Sequence, residues 1–228
     1  MIFAKIDFIN LLPFHIYLKK NVKSSQLKQI IEHNKSYPSL INKRFKKRKV
    51  HSAFISSIKS KNEKALDLGI VAKNEVLSVL AIPGEYKKDY QSDTSNALAS
   101  VLNIKGQVLI GDKALKYYHS AQKNNEIIDL ALKWKEKYNL PFVFARLCVN
   151  KNEKQLRALV KNFDKKKIKI PQYILEIYTK RSGLTKDQIK DYLKKIDYDI
   201  KTKEKKSLKL FFKLTQQKGI WIWQYLIL

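Results

Sequence analysis

Short apolar runs alternate with helically spaced apolar positions along this chain. Residues 2–9 form a nearly continuous apolar run that predicts a first strand ending at Asn10. Pro13 suits the opening turn of a helix over about 14–20. Leu27, Ile30 and Ile31 recur at helical spacing within 24–34, and Ser39, after Tyr37-Pro38, is placed to cap a helix reaching about Lys47. Residues 50–56 predict a short strand closed by Ser56-Ser57. Strands are expected again at 67–71 and 75–82, the second broken by Pro83-Gly84. Thr94-Ser95 opens a helix over 95–103, with Ala97, Leu98, Val101 and Leu102 on one side. A strand at 107–110 stops at Gly111-Asp112, and a helix follows from Ala114. Residues 127–138 predict a further helix or turn, and 141–149 a long apolar strand.

Beyond that point the pattern turns helical, with helices expected over 154–163, 171–179, 185–196 and about 203–217. Thr185 and Gln188 make a capping-box pair. The final segment, "GIWIWQYLIL", predicts a buried closing strand or helix and is too short to cross a bilayer. Strands alternating with helices give an α/β fold. The two apolar strands at 75–82 and 141–149 flank a compact middle segment, the pattern of a chain that crosses to a second lobe and returns. The expected division is residues 1–80 and about 150–228 in lobe 1 and about 81–149 in lobe 2, with a ligand cleft between them at the strand ends.

Composition changes this picture little. A chain of 228 residues that is 44% hydrophobic is large and apolar enough for one domain or two small lobes with a buried core. The net charge of +27 comes mostly from lysines scattered along the chain. A nucleic-acid surface gathers its charge on one face. The runs at 43–49, 165–167 and 201–206 read instead as solvated helix faces and loops, so no nucleic-acid partner is expected, while the long-range field favours an anionic substrate. The single cysteine, Cys148, reads as a buried structural thiol and fits a reducing compartment. The apolar N-terminus carries Lys5 and Asp7 and lacks a secretory pattern. The expectation is a cytoplasmic protein without a membrane span.

Candidate chemistry narrows the class further. Glycine-rich phosphate loops, His-Glu-x-x-His and Cys-x-x-Cys are missing, and His15, His33, His51 and His119 are dispersed, so neither metal nor organic cofactor is expected. What recurs is a small polar residue where a strand ends or a helix begins: Asn10, Ser39, Ser56, Ser57, Thr94, Ser95 and Gly111-Asp112. Helix starts offer free N–H groups and a positive dipole end, and hydroxyls add donors. Together these residues suggest a cleft for a small anion. Asp112 reads either as an acid–base group or, preferably, as the cap of the helix beyond it.

The segments "FINLLPF" (8–14), "YPSLIN" (37–42), "AFISS" (53–57), "SVLAIPG" (78–84), "SDTSNALASVL" (92–102), "LIGDKAL" (109–115), "DLALKW" (129–134) and "LPFVFA" (140–145) together resemble the chorismate dehydratase family of the futalosine route to menaquinone. The likeness covers about residues 2–150 and departs from the family pattern at Leu11 and Asp93. It implies a two-lobed fold like that of type II periplasmic solute-binding proteins. It also implies loss of water from chorismate to give 3-[(1-carboxyvinyl)oxy]benzoate. Ser39, Ser56, Ser57, Thr94, Ser95, Gly111 and Phe144 would then bind the dicarboxylate, with Asn10, and less securely Asp112, at the reacting centre. Two alternatives stay open. One is the sister enzyme of the pathway that makes 1,4-dihydroxy-6-naphthoate, for which His119 is the available histidine. The other is a non-enzymatic binding protein for a small anion.

Overall fold

The computed structural model describes residues 2–120 and 127–220; residues 221–228, most of the segment expected to close the fold, lie outside them. In chain order the elements are β1 (Phe3–Ile6), a 3-10 turn (Ile9–Leu11), α1 (Leu12–Asn21), α2 (Ser25–His33), β2 (Lys35–Ser36), α3 (Pro38–Lys46), β3 (Ser52–Ser56), a second 3-10 turn (Ser57–Lys59), β4 (Ala65–Ala72) and β5 (Val79–Ile82). There follow α4 (Asp93–Leu102), β6 (Gln107–Ile110), α5 (Gly111–Ser120), β7 (Ile128–Asp129), α6 (Leu130–Tyr138), β8 (Phe142–Val149), α7 (Glu153–Val160), α8 (Gln172–Ser182), α9 (Lys186–Lys195), β9 (Ile196–Asp199) and α10 (Thr202–Gln217).

The strands form two sheets. The larger has the order β2-β1-β3-β8-β4-β9, and the smaller has the order β6-β5-β7. β1 runs parallel to β2 and β3, whereas β8 is antiparallel to both β3 and β4. The large sheet is therefore mixed. The small sheet is antiparallel about β5. The strands expected to cross between lobes do not do so along their length. β5 pairs only within the small sheet and β8 only within the large one, so the chain changes sheet in the short segments 73–78 and 139–141. The first of these is sharply bent, with Leu77 at φ +58. Asp129 holds it there: one carboxylate oxygen accepts the Val76 and Leu77 N–H groups, and the other caps α6 through Ala131 and Leu132.

Local chemistry explains where other boundaries moved. Ser39 does not cap α3. Tyr37 is the N-cap and Pro38 takes the first helical position, where its missing N–H costs nothing. Ser92, not Thr94 or Ser95, caps α4, and its hydroxyl accepts the Ser95 N–H at 3.2 Å. The predicted strand over 75–82 shortens to Val79–Ile82 because the bend at Leu77 consumes its first half. The capping box at Thr185 forms as the spacing predicts. β9 follows α9 directly and closes the edge of the large sheet against β4, so the expected helix to 196 gives way to a strand there.

The core runs without interruption beneath both sheets. Trp134, Phe142 and Phe211 stack edge to face, and the Trp134 indole N–H finds the Ser207 hydroxyl at 3.0 Å. That contact ties α10 to α6, and Phe211 packs α10 against Phe142 of β8. Cys148 is buried and free, and burial pushes its thiol up to about 12, consistent with a structural role. Among the described residues no helix is long and apolar enough to cross a membrane.

Candidate active site

Between the two sheets lies a narrow cleft of ≈ 50 Å³. A ring-sized ligand therefore needs the two sheets to part from this closed arrangement. Its floor comes from both sheets, with Ile70 and Phe144 on the large-sheet side and Val79 and Ile110 on the small-sheet side. Its polar groups are Asn10, Ser56, Ser78, Ser92, Ser95 and the Gly111 backbone.

Each polar group is placed by a specific local device. The apolar run of β1 ends at Ile6, and the 3-10 turn Ile9–Leu11 swings Asn10 over the cleft. The Asn10 carbonyl accepts the Tyr198 hydroxyl at 2.6 Å, which fixes its backbone. Its side-chain Oδ1 is buried and has no partner among the described residues. A buried amide oxygen without a partner is costly, and it is the kind of group that a ligand satisfies. Ser56, the last residue of β3, is gripped by Asn42 of α3. Ser92 and Ser95 share a hydroxyl–hydroxyl bond of 2.8 Å in the first turn of α4. Ser78 accepts the buried Tyr192 hydroxyl at 2.8 Å, and its carbonyl accepts the Gly111 N–H at 2.8 Å.

Three helix N-termini border the cleft. Pro38 opens α3, Ser92 and Ser95 lie at the start of α4, and Gly111 opens α5. Helix starts carry partial positive charge, although the Ser39, Ser95 and Gly111 N–H groups are already bonded to the Gln91 carbonyl, the Ser92 hydroxyl and the Ser78 carbonyl. The convergence of the three starts turns partial positive charge toward the cleft, and among the described residues no lysine or arginine lines it. Gly111 has φ +64, and a Cβ there would sit 3.2 Å from the Phe8 ring, so glycine lets the start of α5 approach the cleft wall.

Of the residues expected at the site, Asn10, Ser56, Ser95, Gly111 and Phe144 meet at this cleft. The others do not line it. The Ser57 hydroxyl turns away and donates to the Val143 carbonyl at 2.6 Å, tying the second 3-10 turn to β8. Thr94 accepts the Ile58 N–H at 3.2 Å, so its side chain serves the same turn. Ser39 donates to the Tyr90 carbonyl at 3.0 Å. Asp112 does not serve as the cap expected of it. One oxygen accepts the Ile9 N–H at 3.2 Å, across from α5, and the other pairs with Arg181 at 2.8 Å. Burial raises its pKa, against the opposing pull of the Ile9 N–H and Arg181. His119 is exposed at the far end of α5.

Sequence reasoning missed Ser78, Ser92, Phe8 and Pro38 as site residues, although all four fall within the segments that carried the family resemblance. It also missed the supporting tyrosines of the C-terminal third, whose helical periodicity marks them only as core. A wider surface groove at Lys73, Lys194, Lys195 and Lys201 has a different character. Those four ammonium groups are paired with Asp197, Asp191, Glu75 and Asp199, which makes this part of the groove a laced ion-pair surface.

Comparison with known proteins agrees with this geometry. A family model described as menaquinone biosynthesis matches residues 75–217. A protein of Campylobacter jejuni named chorismate dehydratase is 48% identical over 217 residues, covering 93% of this chain and 96% of that one. Among solved structures, protein AF1704 from Archaeoglobus fulgidus superposes with a TM-score of 0.62 at 17% identity, over 96% of this chain and 97% of that one, and so shares its fold. A Candida albicans protein described as having the generic periplasmic binding protein fold matches with a TM-score of only 0.43 at 13% identity, covering 95% of this chain and 93% of that one, and adds no weight.

Proposed function

The chain belongs to the menaquinone biosynthesis family, and from that premise we propose that it is a chorismate dehydratase. The observation that carries the reading is the convergence of three helix N-termini and four serines on one cleft beneath the unpartnered amide of Asn10. Chorismate is a dicarboxylate, and such a cleft answers a dianion with the positive ends of helix dipoles and with hydroxyl donors. The two sheets with their helices act as two lobes that close on the substrate, in the manner of type II periplasmic binding proteins.

The reaction removes the ring hydroxyl and the hydrogen on the neighbouring ring carbon. The C–H electron pair becomes part of the new aromatic ring, the C–O pair leaves with the hydroxyl group, and the two fragments depart together as one water. The product is 3-[(1-carboxyvinyl)oxy]benzoate. Aromatisation supplies the driving force, so the protein's task is to orient the ring and stabilise charge that develops as the C–H bond breaks. Ser56, Ser92 and Ser95 hold carboxylates, Phe144 and Phe8 sandwich the ring, and Asn10 bonds the reacting hydroxyl or its neighbour. Among the described residues, none that lines the cleft carries a carboxylate, imidazole or amine side chain. In this reading the substrate's own side-chain carboxylate takes the ring proton and passes it to the departing hydroxyl group, which leaves as water. We place the reaction in the cytoplasm, where a free thiol such as Cys148 persists.

Incubation with chorismate should yield the aromatic product, seen by its ultraviolet absorbance and by mass. Asn10→Ala should lower kcat by about 10²-fold, the scale of losing one preorganised donor or acceptor at a reacting centre. Failure of the purified protein to form any benzoate product would overturn the reading. His119→Ala should leave the rate unchanged, because that ring lies away from the cleft.

A further inference from the structure

Outside the cleft, one cluster joins both sheets and the C-terminal helices. Arg181, near the end of α8, places one guanidinium nitrogen 2.9 Å from Asp7 and another 2.8 Å from Asp112. Its guanidinium lies over the Tyr178 ring, 4.2 Å from the centroid, and the Tyr178 hydroxyl donates to the other Asp7 oxygen at 3.1 Å. Asp7 follows β1 of the large sheet, whereas Asp112 opens α5 beside the small sheet. Asp112 in turn accepts the N–H of Ile9, the residue before Asn10.

This chain of contacts has one mechanical consequence. The 3-10 turn that carries Asn10 begins at Ile9, and the N–H groups of an opening turn have no partner within it. Asp112 supplies that partner from across the cleft. Arg181 in turn keeps the Asp112 carboxylate aimed, with a fork that spans two carboxylates that would otherwise repel each other. The half-buried Asp112 carboxylate would turn from the Ile9 N–H toward water without it.

We infer that Arg181 is a positioning residue for the cleft. Through Asp112 and Ile9 it sets the orientation of the turn that presents Asn10, and it does so only when the small-sheet side is docked against the large-sheet side. Arg181 touches no cleft atom and does no chemistry itself. The inference deepens the chorismate reading, on which only its kinetic arm rests.

The test uses Arg181→Gln, which removes the guanidinium but keeps a polar side chain, together with Arg181→Lys and Asp112→Asn. Arg181 is partly exposed, with its side chain 36% accessible, so the fold should survive each change. The kinetic arm expects kcat for chorismate to fall between about tenfold and about 10²-fold in Arg181→Gln, the scale of a small misplacement, with a lesser change in KM. Arg181→Lys should recover part of the rate, because an ammonium can face one carboxylate but not clasp two. The second arm needs no substrate. Hydrogen exchange at the Ile9 amide should be slow in the wild type and faster in Arg181→Gln and Asp112→Asn, and the Asn10 side-chain amide resonances should shift in both. An unchanged kcat in a protein that does turn over chorismate, or unchanged Ile9 exchange in either variant, would overturn the inference. A wild-type protein inert toward chorismate would overturn the functional reading alone, leaving Ile9 exchange to decide this one.

Discussion

The Asn42 side chain grips Ser56 at both ends: its Nδ2 donates to Ser56 Oγ at 2.8 Å, and its Oδ1 accepts the Ser56 N–H at 3.1 Å. Both residues are buried. Because the hydroxyl oxygen is already accepting, its hydrogen is free to point into the cleft as a donor. This pairing turns an ordinary strand-end serine into an aimed one.

Two substitutions at position 42 should therefore separate support from polarity. Asn42→Ala leaves the Ser56 N–H and hydroxyl without their buried partner, at a cost of about 1–3 kcal/mol in stability. Asn42→Asp keeps the N–H acceptor but offers a carboxylate that takes the Ser56 hydroxyl hydrogen. That hydrogen is then lost to the substrate, and a negative charge stands behind the site. KM for chorismate should rise more in Asn42→Asp than in Asn42→Ala. Steady-state kinetics beside denaturant melts would show it, and the reverse order of KM would refute the role given to Ser56.

Gly111→Ala should damage the site from its other side. The left-handed φ of +64 costs an alanine roughly 1–2 kcal/mol. The new methyl would stand 3.2 Å from the Phe8 ring, which must move toward the cleft to make room. The same residue donates its N–H to the Ser78 carbonyl, so a shift of its backbone disturbs a second cleft residue. Turnover should fall by more than the stability loss explains. Equal kcat/KM in wild type and variant at a temperature well below melting would count against a cleft position for Gly111.

Gly111 also marks how far the sequence could be read. A strand that stops at a bare Gly-Asp signals a helix start near a site, and Gly111, Ser56, Ser95 and Asn10 were all found by that pattern of polar residues at element boundaries. The pattern cannot say which way each side chain turns. Ser56 and Ser57 are neighbours, yet one borders the cleft and the other reaches back to Val143, because the chain leaves β3 and enters a 3-10 turn between them. Thr94 and Ser95 divide in the same way around the first turn of α4. The bracing groups were illegible for another reason. Tyr178, Arg181, Tyr192 and Tyr198 act on Asp7, Asp112, Ser78 and Asn10 from distant stretches of the chain, and helical periodicity records only that a face is buried. The lysine run at 165–167 shows the same limit. Read as solvated, it holds Lys165, which donates to the Leu193 and Ile196 carbonyls where α9 ends.

His15 gives the clearest prediction about pH. The ring is 8% exposed on α1, and neither nitrogen has a partner among the described residues. Burial, with Lys5 beside it and Asp7 pulling only weakly the other way, lowers the imidazole to about 3. In the unfolded chain it titrates near 6.5. Between those values the unfolded state binds a proton that the folded state refuses, so this contribution is intact above about pH 6.5 and is lost as pH falls toward about 3. The slope is about 1.4 kcal/mol per pH unit. His15→Leu fills similar space and removes both the unpartnered nitrogens and the titration. The variant should gain on the wild type by on the order of 2 kcal/mol between pH 7.5 and pH 5, because about one and a half units of that slope lie in the interval. Urea midpoints at the two pH values measure the gap directly. A gap that stays constant would mean that His15 titrates in the fold as it does in the unfolded chain, so that the ring faces water.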